Sequence, residues 1–176
     1  MASSLAYTLC IVLCICSLQT AVSAKKLEIS FYTHEIRGGP NGTLLAAAGT
    51  GAGNFSALGW GSFLTIDNII TEGPNFTTTV LGKFTGFAVM TTKGGLLDGG
   101  ILVLDQFRFG PASKYNGSSI SVTGNLANPP PGPWEVIVLG GTGYFRGYTG
   151  YAFSEPYLPT TLAPRFVYKW TFYLKK

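Results

Sequence analysis

The stretch GGTGYFRGYTGYA, residues 140–152, contains five glycines, four aromatic residues and one arginine in thirteen positions. A glycine-rich loop that binds phosphate must lead into a helix whose N-terminus meets the anion. The residues after the first glycines instead read YFRGYTGYAF, which is aromatic and interrupted by glycine in the manner of strands and turns. The stretch therefore predicts a β-hairpin, with GGTG as the tight turn that follows the strand WEVIVL at residues 134–139.

The same β character extends over the whole chain after residue 24. Runs rich in β-branched and aromatic residues occur at 25–36, 60–71, 80–92, 99–110, 118–124, 134–140, 144–153 and 165–174. Clusters of Gly, Pro and Asn separate these runs, and none has a convincing helical period. This pattern predicts an all-β domain, an antiparallel sandwich or barrel. Several runs are apolar on both faces, which favours a closed barrel whose outside is partly covered by other subunits.

Composition narrows the class of protein further. The chain has 176 residues, which fits a single domain. Only 11% of the residues are charged, compared with about 25% in a typical globular chain. The net charge is +4, but the basic residues are scattered and form no Lys/Arg run. A nucleic-acid-binding function is therefore not expected.

The first 24 residues differ in kind from the rest. The apolar run LAYTLCIVLCICSL is shorter than the roughly 20 residues that cross a bilayer. Val22 and Ala24 are small residues at the −3 and −1 positions of a signal-peptidase site. The sequence therefore predicts a secretory signal peptide at 1–24 and one domain at 25–176, with no membrane contact after cleavage. A retained anchor is the alternative, because no Lys or Arg precedes the apolar run.

Secretion has two consequences for the mature chain. The three cysteines, Cys10, Cys14 and Cys16, leave with the signal peptide, which excludes thiol catalysis and Cys-ligated zinc. Four Asn-x-Ser/Thr triplets become possible glycan acceptors in exposed loops. These triplets begin at Asn41, Asn54, Asn75 and Asn116.

The mature chain has few residues for the common kinds of catalysis. It holds one histidine, His34, and no GxSxG motif, and its eight scattered carboxylates predict no metal site. Asp67 and Asp105 each lie in an apolar strand. A carboxylate on an inward face would be desolvated, have a raised pKa and act as an acid or base; the alternative is that each faces solvent or a structural partner. Glu35 is adjacent to His34 and therefore faces the opposite side of its strand.

Four stretches, taken in order, resemble the plant dirigent proteins. They are FYTHEI at 31–36, IDNIIT at 66–71, KYNGSSISVTG at 114–124 and VLGGTGYFRGYTGYA at 138–152. The family's motifs read F-Y-x-H-D-I, V-x-D-D-x-L-T, Y-N-G-S-T-L and V-G-G-T-G-x-F-R-x-A-R-G-Y-A. The resemblance covers essentially all of the mature chain, and it makes the glycine-rich hairpin a family feature.

The resemblance implies an eight-stranded antiparallel β-barrel of the calycin or allene-oxide-cyclase type, assembled as a homodimer or homotrimer in the apoplast. It implies no cofactor and no intrinsic oxidase activity. A separate laccase or peroxidase makes phenoxy radicals from a phenol such as coniferyl alcohol, and the barrel orients two radicals so that coupling gives one enantiomer of a lignan. Two alternatives stay open: a dehydratase or cyclase acting on a phenolic quinone-methide precursor, as in pterocarpan formation, and a cell-wall protein that only binds phenolics.

The resemblance also assigns acids to the substrate pocket. Glu35 stands in place of the Asp of the HDI motif and keeps the carboxylate. Asp67 is the one acid left of the paired aspartates, because the second position is Asn68. We therefore expect Glu35 and Asp67 to lie in or near the pocket.

Three residues of the hairpin complete the expected pocket. Arg146 matches the arginine of the family motif. Tyr144 stands where lignan-forming members have an Asp, and Thr149 stands where they have an Arg. These two departures are expected to direct the pocket away from pinoresinol and toward another phenolic.

Overall fold

The computed structural model of the protein describes residues 24–54, 57–94, 98, 100–126, 132–157 and 165–176. The expected signal peptide lies outside this part of the chain apart from Ala24. No helix among the described residues has the length and apolarity that a bilayer crossing requires. The described residues form nine strands: β1 (Lys26–Ile36), β2 (Leu44–Ala48), β3 (Phe63–Thr71), β4 (Val80–Met90), β5 (Ile101–Phe109), β6 (Ser119–Asn125), β7 (Trp134–Thr142), β8 (Thr149–Pro156) and β9 (Arg165–Lys175).

The strands close into an antiparallel barrel. Their order in the sheet is β1-β9-β8-β7-β6-β5-β4-β3-β2, and a further pairing of β1 with β3 joins the sheet to itself. In this closing pair Tyr32 lies opposite Thr71 and His34 lies opposite Ile69. The short strand β2 lies along β3 outside the eight-stranded ring. The predicted eight-stranded antiparallel β-barrel is confirmed.

Alternation along each strand separates the core from the surface. In β5 the side chains of Val103, Phe107 and Phe109 are buried, whereas Leu102 and Leu104 are exposed on the outer face. Successive side chains of a strand point to opposite faces of the sheet. This arrangement explains why several strands are apolar on both faces. The inner face fills the barrel, and the outer face forms the surface of the barrel wall.

An aromatic cluster fills the middle of the barrel. The Phe107 ring is fully buried, and its centroid lies 4.6 Å from that of Phe84 and 4.9 Å from that of Trp170. Phe31 and Phe172 contact it from the opposite wall, at 5.2 Å and 5.1 Å. Tilted and edge-on pairs at these distances contribute about 0.5–1.5 kcal/mol each beyond their buried area. The cluster therefore divides the interior into two ends.

The glycine-rich stretch forms the predicted hairpin, although its strands begin and end elsewhere than expected. Strand β7 continues through Thr142, a single 3₁₀ turn covers Gly143–Phe145, and β8 begins at Thr149. The first three residues of GGTG thus belong to a strand, and the expected strand at 144–153 begins five residues later. The Phe145 side chain is buried at the end of the barrel. The β7–β8 connection therefore lies across that end.

The sequence pattern did not predict β2. This strand has the sequence LLAAA, with three alanines and no β-branched residue. Its pairing with β3 holds these residues in the strand conformation, since Leu44 lies opposite Ile66 and Ala46 lies opposite Leu64. A short strand of low intrinsic β-propensity depends on the neighbour that it contacts.

Candidate ligand-binding cavity

A cavity of about 400 Å³ opens at one end of the barrel. This end is formed by the C-terminal parts of β1 and β8 and the N-terminal parts of β3, β7 and β9. The wall is largely apolar, and its apolar residues include Leu64, Ile66, Phe84, Val103, Trp134, Phe166 and Trp170. The volume lies within the range of roughly 300–1,000 Å³ typical of small-molecule sites. The cavity therefore suits a small aromatic ligand.

Three polar side chains form a hydrogen-bonded group in the cavity wall. Arg37 Nε donates to Glu35 Oε1 at 2.5 Å, and Arg37 Nη2 donates to the Tyr168 hydroxyl at 2.7 Å. Glu35 and Arg37 point to the same face because they are two residues apart on the extended chain at the end of β1. Tyr168 comes from β9, the antiparallel neighbour of β1. Because Tyr168 accepts from Arg37, its own O–H is a donor that a ligand can use.

Burial sets the charge states of this group. Burial by itself lowers the pKa of Arg37, but the charge and the hydrogen bond of Glu35 raise it overall. Burial, followed by the charge of Glu35, raises the pKa of Tyr168 above its usual value near 10, although Arg37 opposes the shift. The Arg37 guanidinium carbon lies 3.9 Å from the centroid of the Phe166 ring, in a cation–π contact. Arg37 is therefore a fixed cation, and Tyr168 stays a neutral phenol.

Two more polar groups stand in the wall. Trp170 Nε1 donates to Thr33 Oγ1 at 3.0 Å. The hydroxyl of Thr43 donates to Asn68 Oδ1 at 2.5 Å, while the Asn68 Nδ2 group is buried and has no hydrogen-bond partner among the described residues. A buried donor without a partner costs about 1–3 kcal/mol. The Asn68 amide is therefore a candidate to donate to an oxygen atom of a ligand.

Asp105 lies on the inner face of β5, one layer below the cavity. It is two residues from Val103, which lines the cavity, and directly opposite Gly86 of β4. A Cβ atom at position 86 would lie 2.2 Å from Asp105 Oδ1. The absent side chain of Gly86 thus provides the space for the carboxyl group. Both carboxyl oxygens of Asp105 are buried and lack a hydrogen-bond partner among the described residues.

This environment changes the protonation of Asp105. Burial, followed by the charge of Glu35, raises its pKa from 3.8 to about 8. The prediction that an inward-facing strand carboxylate has a raised pKa is confirmed for this residue. Asp105 is therefore mostly neutral at pH 7, and its O–H is a proton donor inside the barrel. Glu35, by contrast, accepts a hydrogen bond from the Arg37 cation.

The structure corrects the position expected for Asp67. Its side chain is 67% exposed on the outer face of β3 and forms an ion pair with Lys83 Nζ at 2.9 Å. Leu64, Ile66 and Asn68 share the inward phase of β3 and line the cavity, so the intervening Asp67 must point outward. The inward position of the paired-aspartate motif is therefore an amide in this protein, because Asn68 occupies it.

The structure also corrects the positions expected for Tyr144, Arg146 and Thr149. All three lie in or beside the β7–β8 connection, and all three are exposed. The cavity is formed at the N-terminal end of β7 and the C-terminal end of β8, whereas this connection joins the opposite ends of the same two strands. The barrel and its aromatic cluster therefore separate these three residues from the cavity.

Of the five residues expected in the pocket, the structure places Glu35 in the cavity wall. Sequence reasoning missed Thr33, Arg37 and Tyr168. The signal for the first two was available, because they share the inward phase of Glu35 at two-residue spacing. The aromatic face of β9 also contained Tyr168, but its contact with Arg37 depends on the pairing of two strands that are more than 120 residues apart. His34 faces away from the cavity, as predicted, and hydrogen-bonds to Thr71 at 2.7 Å.

The fold and the cavity define a class of protein, a closed antiparallel β-barrel with an apolar cavity beside a few fixed polar groups. Comparison with known proteins supplies the family. Residues 27–174 match the family described as "Dirigent-like protein", and the chain belongs to that family. Dirigent protein 15 of Arabidopsis thaliana is 33% identical over 130 residues, which cover 72% of this chain and 67% of the relative.

A second group of relatives carries a different name. Pterocarpan synthase 1 of Glycyrrhiza echinata is 26% identical over 134 residues, which cover 76% of this chain and 69% of that protein. A solved structure of a pterocarpan synthase dirigent protein superimposes with a TM-score of 0.72 at 20% identity, over 89% of this chain and 87% of that one. At this identity the superposition supports the barrel fold alone.

Proposed function

We propose that the barrel cavity binds a phenolic molecule and directs the stereochemistry of its coupling. In this function a separate laccase or peroxidase oxidises a phenol such as coniferyl alcohol by one electron, and two of the resulting radicals join through a new carbon–carbon bond. The observation that carries the proposal is the apolar, aromatic-lined cavity of about 400 Å³ with Glu35, Arg37 and Tyr168 on one wall. Membership of the dirigent-like family supports it.

The energetic demand of this function is small. Radical coupling has almost no barrier, so the protein needs only to favour one pair of meeting faces over the other. A tenfold preference corresponds to about 1.4 kcal/mol between the competing poses. One hydrogen bond contributes about 0.5–1.5 kcal/mol, and one to a charged group contributes about 1.5–3 kcal/mol. A single contact of a ligand hydroxyl with Glu35 is therefore sufficient.

The polar groups of the cavity have complementary roles toward such a ligand. Glu35, oriented by Arg37, accepts a hydrogen bond from a ligand hydroxyl. Asn68 Nδ2 and the Tyr168 O–H donate to ligand oxygens. Trp170 and Phe166 supply flat walls that limit how an aromatic ring rotates. Donors and acceptors at different points of one wall fix the direction of an asymmetric phenol.

The test uses the purified mature protein with coniferyl alcohol, with and without a laccase. Products are separated by chiral chromatography. Optically active product that forms only with the laccase present supports the proposal. Racemic product across a panel of oxidisable phenols, together with ligand binding in the cavity, contradicts it and indicates a protein that only binds phenolics.

Asp105 favours a second candidate, a dehydratase or cyclase without any oxidant. In this reaction a base removes the proton of a phenol, an acid protonates a benzylic hydroxyl, and water leaves to give a quinone methide. Glu35 is held as a hydrogen-bond acceptor by Arg37, while the buried Asp105 is a neutral acid with a pKa of about 8. A pair of carboxyl groups with opposite protonation is the usual arrangement for such chemistry. Turnover of a hydroxylated isoflavan in the absence of laccase supports this candidate, and its absence contradicts it.

The proposed site of action is the extracellular space, after removal of residues 1–24. The four possible glycan acceptors support secretion, because Asn41, Asn54, Asn75 and Asn116 are all exposed. Expression in plant cells, followed by N-terminal sequencing of the secreted protein, tests the cleavage after Ala24. Digestion with a peptide N-glycosidase tests the glycans by the loss of mass.

A homo-oligomer is part of the proposal, and the outer wall supports it. One cross-strand row runs around the barrel through β4 to β9, and we call it the outer belt. It consists of Phe87, Leu104, Thr123, Ile137, Tyr151 and Tyr173, which lie opposite one another in successive strand pairs. Five of these are large apolar or aromatic residues with 36–54% of their surface exposed. Continuous exposed apolar surface of this kind marks an interface.

A further inference from the structure

Positive charge is concentrated at the end of the barrel opposite the cavity. Six exposed cations lie there, and we call this set the basic end: Lys25, Lys26, Lys114, Arg146, Lys175 and Lys176. The basic end holds half of the twelve Lys and Arg residues of the chain. Two of the eight carboxylates, Glu28 and Glu72, lie at the same end, beside Lys114. With these two carboxylates the basic end carries a net formal charge of +4.

Folding brings these cations together although they are scattered in the sequence. Lys25 and Lys176 are joined by two backbone hydrogen bonds of 3.1 Å, and Lys26 lies directly opposite Lys175. Like charges on directly opposed residues repel each other. The ion pairs of the described residues join Glu35 to Arg37 and Asp67 to Lys83; none reaches the basic end. The cations of this end therefore have no ion-pair partner among the described residues.

Tyrosine rings lie beneath three of these cations. Lys25 Nζ lies 5.6 Å from the centroid of the Tyr144 ring, and Lys176 Nζ lies 5.8 Å from that of Tyr148. The two rings are nearly parallel, at 11° and 6.2 Å. Lys114 Nζ lies 5.1 Å from the Tyr115 ring in the same cluster. Tyr148 and Tyr115 are buried, whereas Tyr144 is 44% exposed and presents its ring beside the lysines.

The glycine-rich stretch builds this surface. The Tyr144 N–H donates to Ser118 Oγ at 2.9 Å, which anchors the connection to the loop that carries Lys114. Gly143 adopts a φ of +56°, and a Cβ atom there would lie 2.5 Å from Ser118 Oγ. The tight turn therefore holds Tyr144 and Arg146 at the end of the barrel, away from the cavity.

We propose that the basic end binds an acidic polysaccharide, a polymer of uronic acid units. Several separate point charges along one edge match a chain that carries a carboxylate on each unit, and ammonium groups bind such carboxylates as point charges. The exposed part of the Tyr144 ring provides an apolar surface for the C–H groups of a sugar ring. This site is independent of the function proposed for the cavity.

The test measures binding of the mature protein to polygalacturonate and to its methyl ester, which has the same backbone without the charge. We expect binding to the acid polymer that weakens steeply with added salt, and no measurable binding to the ester. The double variant K25Q/K176Q should bind about tenfold more weakly. Y144A should also weaken binding, because the stacking surface is lost.

A matched control removes the same number of charges from the cavity end. Lys93 and Arg165 also lie over aromatic rings, those of Trp60 and Phe76. The proposal requires K93Q/R165Q to change the affinity by less than about twofold. Equal losses in both double variants would show a non-specific effect of net charge and overturn the proposal. It is equally overturned if the wild-type protein binds phosphatidylserine vesicles or a single-stranded oligonucleotide more tightly than polygalacturonate. Thermal unfolding of each variant verifies that the barrel is intact.

Discussion

At the scale of single residues, the barrel interior offsets the cost of burying its two carboxyl groups in different ways. Glu35 is paired with the half-buried Arg37 cation at 2.5 Å. Asp105 has no hydrogen-bond partner among the described residues, and protonation removes its charge instead. A buried charge must be either paired or neutralised, because desolvation of an unpaired ion is too costly. The same interior thus holds one oriented acceptor and one neutral donor.

The replacement Asp105→Asn should remove a pH dependence of stability. The folded protein holds the Asp105 proton with a pKa of about 8, compared with 3.8 for the unfolded chain. The stabilising effect of this proton is therefore complete below about pH 4 and is lost as the pH rises through about 8. The free energies of unfolding of the wild type and D105N should agree near pH 4. At pH 8 the variant should be more stable, by up to the order of 5 kcal/mol.

Urea unfolding at pH 4, 6 and 8 measures this difference. Burial lowers the pKa of His34, which produces an opposite trend at acid pH, but this trend is common to both proteins and cancels in the comparison. The exposed Asp67 offers a control, since D67N should show no comparable gain at pH 8. A constant difference between the wild type and D105N at all three pH values would refute a neutral Asp105.

Under the function proposed for the cavity, the replacement Glu35→Gln should reduce the stereoselectivity of coupling with little change in total product. The oxidase makes the radicals, so product still forms, but the charged acceptor of the cavity is lost. A hydrogen bond to a charged group contributes about 1.5–3 kcal/mol, which corresponds to a tenfold or greater loss in the ratio of enantiomers. Chiral chromatography of the laccase reaction measures the ratio. E155Q alters an exposed glutamate of β8 and should leave the ratio of enantiomers unchanged. Equal ratios for E35Q and the wild type would show that Glu35 does not orient the substrate.

At the scale of the strand, the sequence predicts that successive side chains alternate between two faces. It does not always predict which of the two faces points into the barrel. In β5 the inward face carries buried apolar residues, and the sequence alone grouped Asp105 with them. In β3 the face with Asn68 is otherwise apolar, but the face with Asp67 also carries Phe63 and Ile69, so the pattern FLTIDNIIT favours Asn68 as the inward residue only weakly. The register with β4, where Asn68 lies opposite the buried Phe84, decides it. A shift of one residue exchanges the two faces of a strand.

The replacement Gly86→Ala tests the space that β4 provides for Asp105. A Cβ atom there would lie 2.2 Å from Asp105 Oδ1 and 2.5 Å from the backbone oxygen of Leu104. The backbone atom cannot move aside as the end of a flexible side chain can, so we expect a loss of about 1–3 kcal/mol in the free energy of unfolding. Gly110 is the matched control, because its added Cβ atom meets nothing closer than 3.7 Å. Chemical denaturation should give a lower free energy of unfolding for G86A than for G110A. Similar values for the two variants would show that position 86 is not crowded.

At the scale of the whole molecule, the barrel has three separate surfaces: the cavity end, the outer belt and the basic end. The runs that are apolar on both faces predicted association with other subunits, and the outer belt supplies a surface for it. We expect the mature protein to be a homo-oligomer. The double variant L104K/I137K should be a folded monomer, because two charges at the centre of the belt cannot be buried without partners.

Light scattering coupled to size-exclusion chromatography measures the mass of each species. Leu45 and Val80 are exposed apolar residues outside the belt, at 58% and 47%. The double variant L45K/V80K therefore adds the same charge elsewhere and should keep the mass of the wild type. Dissociation by both double variants, or by neither, would show that the belt is not the interface.

The sequence by itself determined the class of fold, the hairpin at 140–152 and the inward position of Glu35 on the first strand. These features depend on local rules: the two-residue period of strands, the turn preference of glycine and the order of short motifs. Only the tertiary structure decided that Asn68 rather than Asp67 faces the cavity, and that the hairpin turn closes the opposite end. It also placed scattered lysines together and set Tyr168 beside Arg37. The reason is physical, because these contacts join strands that are distant in the chain, and their register and direction follow from closure of the barrel.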